Sequence, residues 1–239
     1  MLIATNKEQY SNLWMNESNH IESQGIYEEL TKLIPHDGNV LEFGCGIGNA
    51  TKWLLNGHDV LSLDSNEYLI NQACNKLTGL GLKPNIHNCD FFSLSSDDKK
   101  IISDFSPKII VGWFLGSCGE DIVNHTKEQP DPNEKGKLFR EKIEDIIVST
   151  DICLPSVEYI HLAARGTVVN SCTDEQLFDS QKEDYETYVF NQVGFEVIKV
   201  DKMPWVRDGS NFQYGQANNP NFAGGSATPS VISILAKRI

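Results

Sequence analysis

Three glycines at two-residue steps, Gly44, Gly46 and Gly48, follow an acid, Glu42, in the stretch VLEFGCGIGN at residues 40–49. Glycine lets a chain turn sharply and lets a ligand lie against bare backbone. A helix beginning near Asn49 would offer unpaired N–H groups at its start. Two ligand classes want such a turn: a dinucleotide, or another adenosine compound. The dinucleotide fingerprint is G-x-G-x-x-G, with a pyrophosphate at the helix start. Counted from Gly44, Asn49 stands where the third glycine belongs. A carboxylate at Glu42, expected to face the mouth of the turn, opposes a pyrophosphate and suits a cation. Two more acids follow at predicted strand ends. Asp64, in LSLDSNEYLI, can accept ribose hydroxyls under either reading. Asp90, in HNCDFF, can accept the exocyclic amine of adenine, with Phe91 to cover the ring. The dinucleotide fingerprint does not call for this third acid. The residues favour an adenosine compound that carries positive charge and no phosphate.

Such residues need strand ends to hold them side by side. Residues 5–35 read as helical: IESQGIYEELTKLI places Ile21, Ile26, Tyr27, Leu30, Leu33 and Ile34 near one stripe, and Pro35-His36-Asp37-Gly38 stops the run. Strands are predicted at 40–44, 59–64 and 85–90, separated by helical patterns at 49–55 and 66–80. KIIVGWF (108–114) is a continuous apolar run, as for a strand covered on both faces. A helix at 136–149 leads to a strand at 157–164, and TDEQ (173–176) is a capping box opening a helix to about residue 192. Strands at 195–203 and 230–238 have no helix between them, which predicts an antiparallel pair at one edge. The alternation predicts an α/β fold, doubly wound, with a mostly parallel sheet and helices on both faces. Segments 116–136 and 204–229 read as long irregular stretches, either binding lids or disordered. The division expected is an N-terminal helical cap (1–35) and one α/β domain (36–239).

The 239 residues, 40% hydrophobic, suffice for one such core. Thirty-three acids against twenty bases give a net charge of −13, which works against phosphate backbones and anionic membranes. Six scattered cysteines form no CxxC pair, and no run resembles a signal peptide or a membrane span. The expectation is a reduced, cytoplasmic setting with free thiols.

Together these features resemble the class I S-adenosylmethionine-dependent methyltransferases, the seven-stranded Rossmann-like family. That family's first motif, two aliphatics and an acid before G-x-G-x-G, is similar to VLEFGCGIG at 40–48. Asp64, Asp90, the run IIVGWF (109–114) and Gly194-Phe195 stand where its later motifs do. The resemblance covers roughly residues 36–239. It implies the strand order 3-2-1-4-5-7-6 with strand 7 antiparallel, S-adenosylmethionine as cofactor, and methyl transfer by in-line displacement. It also implies that Glu42 and the backbone around Gly44 and Gly46 hold the methionine portion, Asp64 the ribose, and Asp90 with Phe91 the adenine. Trp113 would lie near the methionine end or the acceptor, and Tyr10 and Trp14 would cover the cofactor. Each has a structural alternative: Asp64 as a helix cap, Phe91 and Trp113 as core, Tyr10 and Trp14 as a stripe packed on the sheet.

After the fourth strand stands GWFLGSCGED, with neither the Asn/Asp-Pro-Pro-aromatic turn of amino-methylating DNA enzymes nor the Pro-Cys pair of cytosine-C5 enzymes. The acceptor expected is therefore a small molecule or a peptide, with no nucleic acid and no membrane partner. His20 and His125 are candidate bases by location, and His161 reads as a packed histidine. Arg207 and Tyr214 are candidates to meet a substrate carboxylate or ring. Glu120 and Asp121 read as a solvated loop, and no ligand spacing supports a metal. Two rivals remain open: a catalytically silent cofactor-binding subunit that docks a partner, and an NAD(P)-dependent oxidoreductase.

Overall fold

The computed structural model describes residues 5–210, 212 and 226–239. Seven strands form one sheet: β1 (Val40–Phe43), β2 (Val60–Asp64), β3 (Ile86–Asn88), β4 (Ile109–Trp113), β5 (Tyr159–Val169), β6 (Phe195–Pro204) and β7 (Ala227–Arg238). Their spatial order is β3-β2-β1-β4-β5-β7-β6, as expected. β1 to β5 pair in parallel, and β7 runs antiparallel to both β5 and β6. The helices are α1 (Lys7–Ser23), α2 (Ile26–Lys32), α3 (Asn49–Leu54), α4 (Glu67–Gly79), α5 (Ser96–Phe105), α6 (Gly119–His125), α7 (Lys135–Ile147) and α8 (Asp174–Tyr185).

Strand alternation divides the core between two faces. Val40 on β1 and Ile109 and Val111 on β4 pack with Ile21, Tyr27 and Leu30 of α1 and α2 and with Leu54 of α3. Leu41, Phe43 and Ile110 pack on the opposite side with Ile102 of α5 and with Phe139, Ile143 and Ile147 of α7. All four residues of β1 are buried, so the central strand has no solvent face. Burying one such Leu or Phe contributes about 1.5–3 kcal/mol.

Four segments differ from the sequence expectation. β5 runs on to Val169 because its far half pairs with β7, from Ala164–Ile232 to Val169–Ala227. The stretch at 116–136 holds a helix, α6, whose first N–H groups bond to Thr5: Gly119 to its hydroxyl at 3.0 Å and Glu120 to its carbonyl at 3.2 Å. α5 was not anticipated, although Ser95 and Asp98 form a capping box at its start. α8 ends at Tyr185, and a π turn (Glu186–Phe190) and a 3₁₀ turn (Asn191–Val193) lead to Gly194 at φ 75°. Of the expected loop at 204–229, residue 211 and residues 213–225 lie outside the described residues.

Candidate functional site

The glycine turn joins β1 to α3 at the sheet's carboxyl edge. Gly44, Gly46 and Gly48 all have positive φ (77°, 51° and 79°), a region that costs other residues about 1–2 kcal/mol each. A Cβ on Gly46 would stand 2.7 Å from Nε1 of Trp14, so the α1 indole closes directly onto the turn. Asp64, the last residue of β2, braces the turn from the side. Its Oδ2 accepts the Gly46 N–H at 3.1 Å and its Oδ1 the Asn66 N–H at 2.9 Å. Burial raises the Asp64 pKa, while these N–H groups oppose the rise.

Glu42 sits differently from expectation. Alternation along β1 gives it the same face as Val40, so it lies beneath the turn and not at its mouth. Its Oε2 accepts the hydroxyls of Thr51 at 2.7 Å and of Ser62, its register partner on β2, at 2.5 Å. Its Oε1 is buried without a hydrogen-bond partner. Burial pushes its pKa up to about 7, the two hydroxyls pull it down, and Asp64 adds to the rise. Glu42 lines a small cavity of about 10 Å³, whose walls include Gly44, Gly46, Trp14, Asn49 and Trp113.

A larger cleft of about 140 Å³ adjoins it, sharing Trp14, Phe43, Gly44, Gly46 and Trp113 with the small cavity. It gathers Tyr10, Asp64, Asp90, Phe91 and His125 from the sequence candidates. Asp90 is exposed at the end of β3, where its Oδ1 accepts the Phe92 N–H at 3.0 Å and starts a 3₁₀ turn (Phe91–Ser93). The Phe91 ring lies 5.0 Å from that of Phe43. Trp113 ends β4 and donates its indole N–H to Nδ1 of His161 at 3.1 Å. His161 is therefore neutral with its proton on Nε2, and burial drives its pKa down to about 3. It is the packed histidine the sequence led one to expect.

The segment at the start of α1 crosses the cleft as a strap. At one end Lys7 donates to the Ser65 carbonyl at 2.7 Å, and Asn66 donates to the Lys7 carbonyl at 3.1 Å. At the other end Thr5 holds the first turn of α6. Tyr10 and Trp14 stand parallel, 6.4 Å apart, and both line the cleft. Burial pushes the Tyr10 pKa up, with Arg165 opposing.

His20 is not brought to the site. Its Nε2 meets the Val206 carbonyl at 2.8 Å, tying α1 to the segment after β6. Arg207 is exposed beside Trp205 and does not line the cleft, and Tyr214 lies outside the described residues. His125 does line it, stacked on Phe92 at 4.0 Å. Sequence reasoning missed Lys7, Ser65, Phe92, Ser117 and Asp121 as cleft residues. Only the last carried a signal, as part of the acidic pair after the fourth strand. Among the described residues no group of three or more His, Cys, Asp or Glu side chains is placed to hold a metal ion. Among the same residues no helix is long and apolar enough to cross a membrane.

The strand order with its antiparallel β7 and the glycine turn at the carboxyl edge of β1 define the class I methyltransferase fold, and the chain has that fold. No protein-family model matches the sequence, and no curated protein matches it. Solved structures do. The 23S rRNA methyltransferase ErmE superposes with a TM-score of 0.50 at 16% identity, over 90% of this chain and 68% of ErmE. M. jannaschii TYW2, in complex with AdoMet, matches at 14% identity and TM-score 0.45, over 92% of this chain and 77% of TYW2. Magnesium protoporphyrin IX methyltransferase (ChlM) from Synechocystis PCC 6803, with bound SAM, matches at 12% identity and TM-score 0.44, over 93% and 80%. At these identities the likeness is one of fold.

Proposed function

We propose that the chain is an S-adenosylmethionine-dependent methyltransferase acting on a small molecule or a peptide. One observation carries the reading: the buried, unpartnered Oε1 of Glu42 in the small cavity beneath the glycine turn. A buried acceptor left unmade costs about 1–3 kcal/mol, and an ammonium is the donor that would relieve it. A pyrophosphate would only add repulsion there. The residues present fit the cofactor: Glu42 and the turn for its aminoacyl end, Asp64 for ribose hydroxyls, Asp90 and Phe91 for adenine. When bound, the sulfonium supplies an activated methyl group.

The chain's own work is to align and enclose. Trp113, fixed by His161, and Trp14 wall the aminoacyl end, while residues 5–35 act as a cap whose strap excludes water from the cleft. Alignment of this kind can be worth several kcal/mol. A strapped cleft with three carboxylates, Asp64, Asp90 and Asp121, in a chain of net charge −13 supports a compact acceptor over a polyanion. A cytoplasmic setting belongs to the same proposal.

The test is to incubate the protein and radiolabelled donor with fractionated cell extract. Label should appear in the small-molecule or peptide fraction. Label confined to RNA would overturn the acceptor assignment, and label in no fraction would favour a silent cofactor-binding subunit.

A further inference from the structure

One part of the cleft is not used by the adenosine reading above, and this inference rests on that reading. Asp121 and His125 are four residues apart on α6, so they share one face of that helix, and both line the cleft. Asp121 is held in place by Ser117, whose hydroxyl donates to its Oδ2 at 2.7 Å. His125 is held by stacking on Phe92, with the Phe139 ring 6.2 Å away. A carboxylate, an imidazole and aromatic walls thus line the same cleft as Asp64 and Asp90, on residues to which the adenosine reading gives no role.

We propose that Asp121 and His125 form the acceptor subsite, and that the acceptor is a small organic amine next to a flat apolar group. The chemistry follows from the residue types. A carboxylate pairs with an ammonium through charge-assisted hydrogen bonds. Aromatic faces attract the same cation and cover an apolar ring. An ammonium has no lone pair, so it must lose a proton before it can act as a nucleophile. His125 is the group placed to take it: the proton passes from the amine nitrogen to an imidazole nitrogen, leaving a neutral amine and an imidazolium. Strong net negative charge concentrates cations at the cleft mouth.

The experiment uses the full chain saturated with S-adenosylhomocysteine and titrates phenethylamine, tyramine and histamine by calorimetry, with phenethyl alcohol and phenylpropionate as controls. At least one amine should bind and neither control should. Asp121→Asn should weaken amine binding tenfold or more while leaving S-adenosylhomocysteine affinity within twofold. His125→Gln should keep amine binding within about threefold but slow methyl transfer to that amine at least tenfold. Binding of the alcohol or the carboxylate in preference to all three amines would overturn the proposal. So would an Asp121→Asn variant that loses amine and S-adenosylhomocysteine together, since Asp121 would then serve the adenosine. Failure of the unaltered protein to take up S-adenosylhomocysteine at all would defeat the methyltransferase reading itself, before any amine is added.

Discussion

Nε1 of Trp14 lies where a side chain on Gly46 would begin, 2.7 Å from the position of its Cβ. The α1 indole and the glycine turn therefore form one surface, and neither can change without the other. Gly46→Ala should destabilise the fold by roughly 1–3 kcal/mol, from a strained φ of 51° and a displaced tryptophan. Denaturant unfolding measures the loss, and S-adenosylhomocysteine affinity should fall with it. A variant of normal stability and normal affinity would mean that the indole yields freely and that no ligand touches the turn.

Asp64 carries two duties, bracing the Gly46 and Asn66 N–H groups and facing the cleft. Asp64→Ala should weaken cofactor binding by roughly 1–3 kcal/mol through lost charge-assisted hydrogen bonds. Calorimetry with S-adenosylhomocysteine reads this directly. Unchanged affinity would remove Asp64 from the ribose site and leave it only the turn.

The pKa of Glu42, pushed up to about 7 by burial, lies above its unfolded value near 4.5. Its contribution to stability is complete below pH 4.5 and is lost as pH rises through 7. Glu144, also raised to about 7 chiefly by burial, acts in the same window. Glu42→Gln should therefore flatten the decline of stability between these pH values by up to about 3 kcal/mol, leaving the part that Glu144 and the other raised carboxylates contribute. Urea midpoints at pH 5, 6, 7 and 8 would reveal it. An identical slope in protein and variant would mean that Glu42 stays ionised without cost.

The opposite sign holds for His161, held neutral by burial with a pKa near 3, and with Lys199 as a lesser cause. Its unfolded value is about 6.5, so the stability that it contributes is present above that pH and drains away as pH falls toward 3. His161→Gln should lessen acid destabilisation over that range. It should also change Trp113 fluorescence, because the indole loses its 3.1 Å acceptor. An unaltered acid limb and spectrum would put the pair's hydrogen bond in doubt.

The fold and the position of the cleft were legible in the sequence because strand periodicity and the acids at strand ends are local signals. Which way Glu42 faces was not. β1 is buried on both sides, so hydrophobic patterning cannot choose a face, and only the pairing with Ser62 and the α3 hydroxyl of Thr51 settles it. α6 was hidden for another reason: it is seven residues long, too short to declare itself by period, and its first turn is held by Thr5 from far away in the chain. α5 could have been found, since Ser95 and Asp98 spell a capping box. His20 shows the limit of location as an argument. It stands in the last turn of α1, and its ring is engaged with the Val206 carbonyl and not with the cleft.

The claim on which the account turns is that this cleft takes an adenosine cation and not a dinucleotide. Parallel calorimetric titrations of the full chain with S-adenosylmethionine, S-adenosylhomocysteine and NADH decide it. Saturable one-to-one uptake of the two sulfur compounds is expected, weakened at least tenfold for both in Glu42→Gln because both carry the aminoacyl ammonium, with no heat from NADH. Saturable binding of NADH with silence from both sulfur compounds would contradict it.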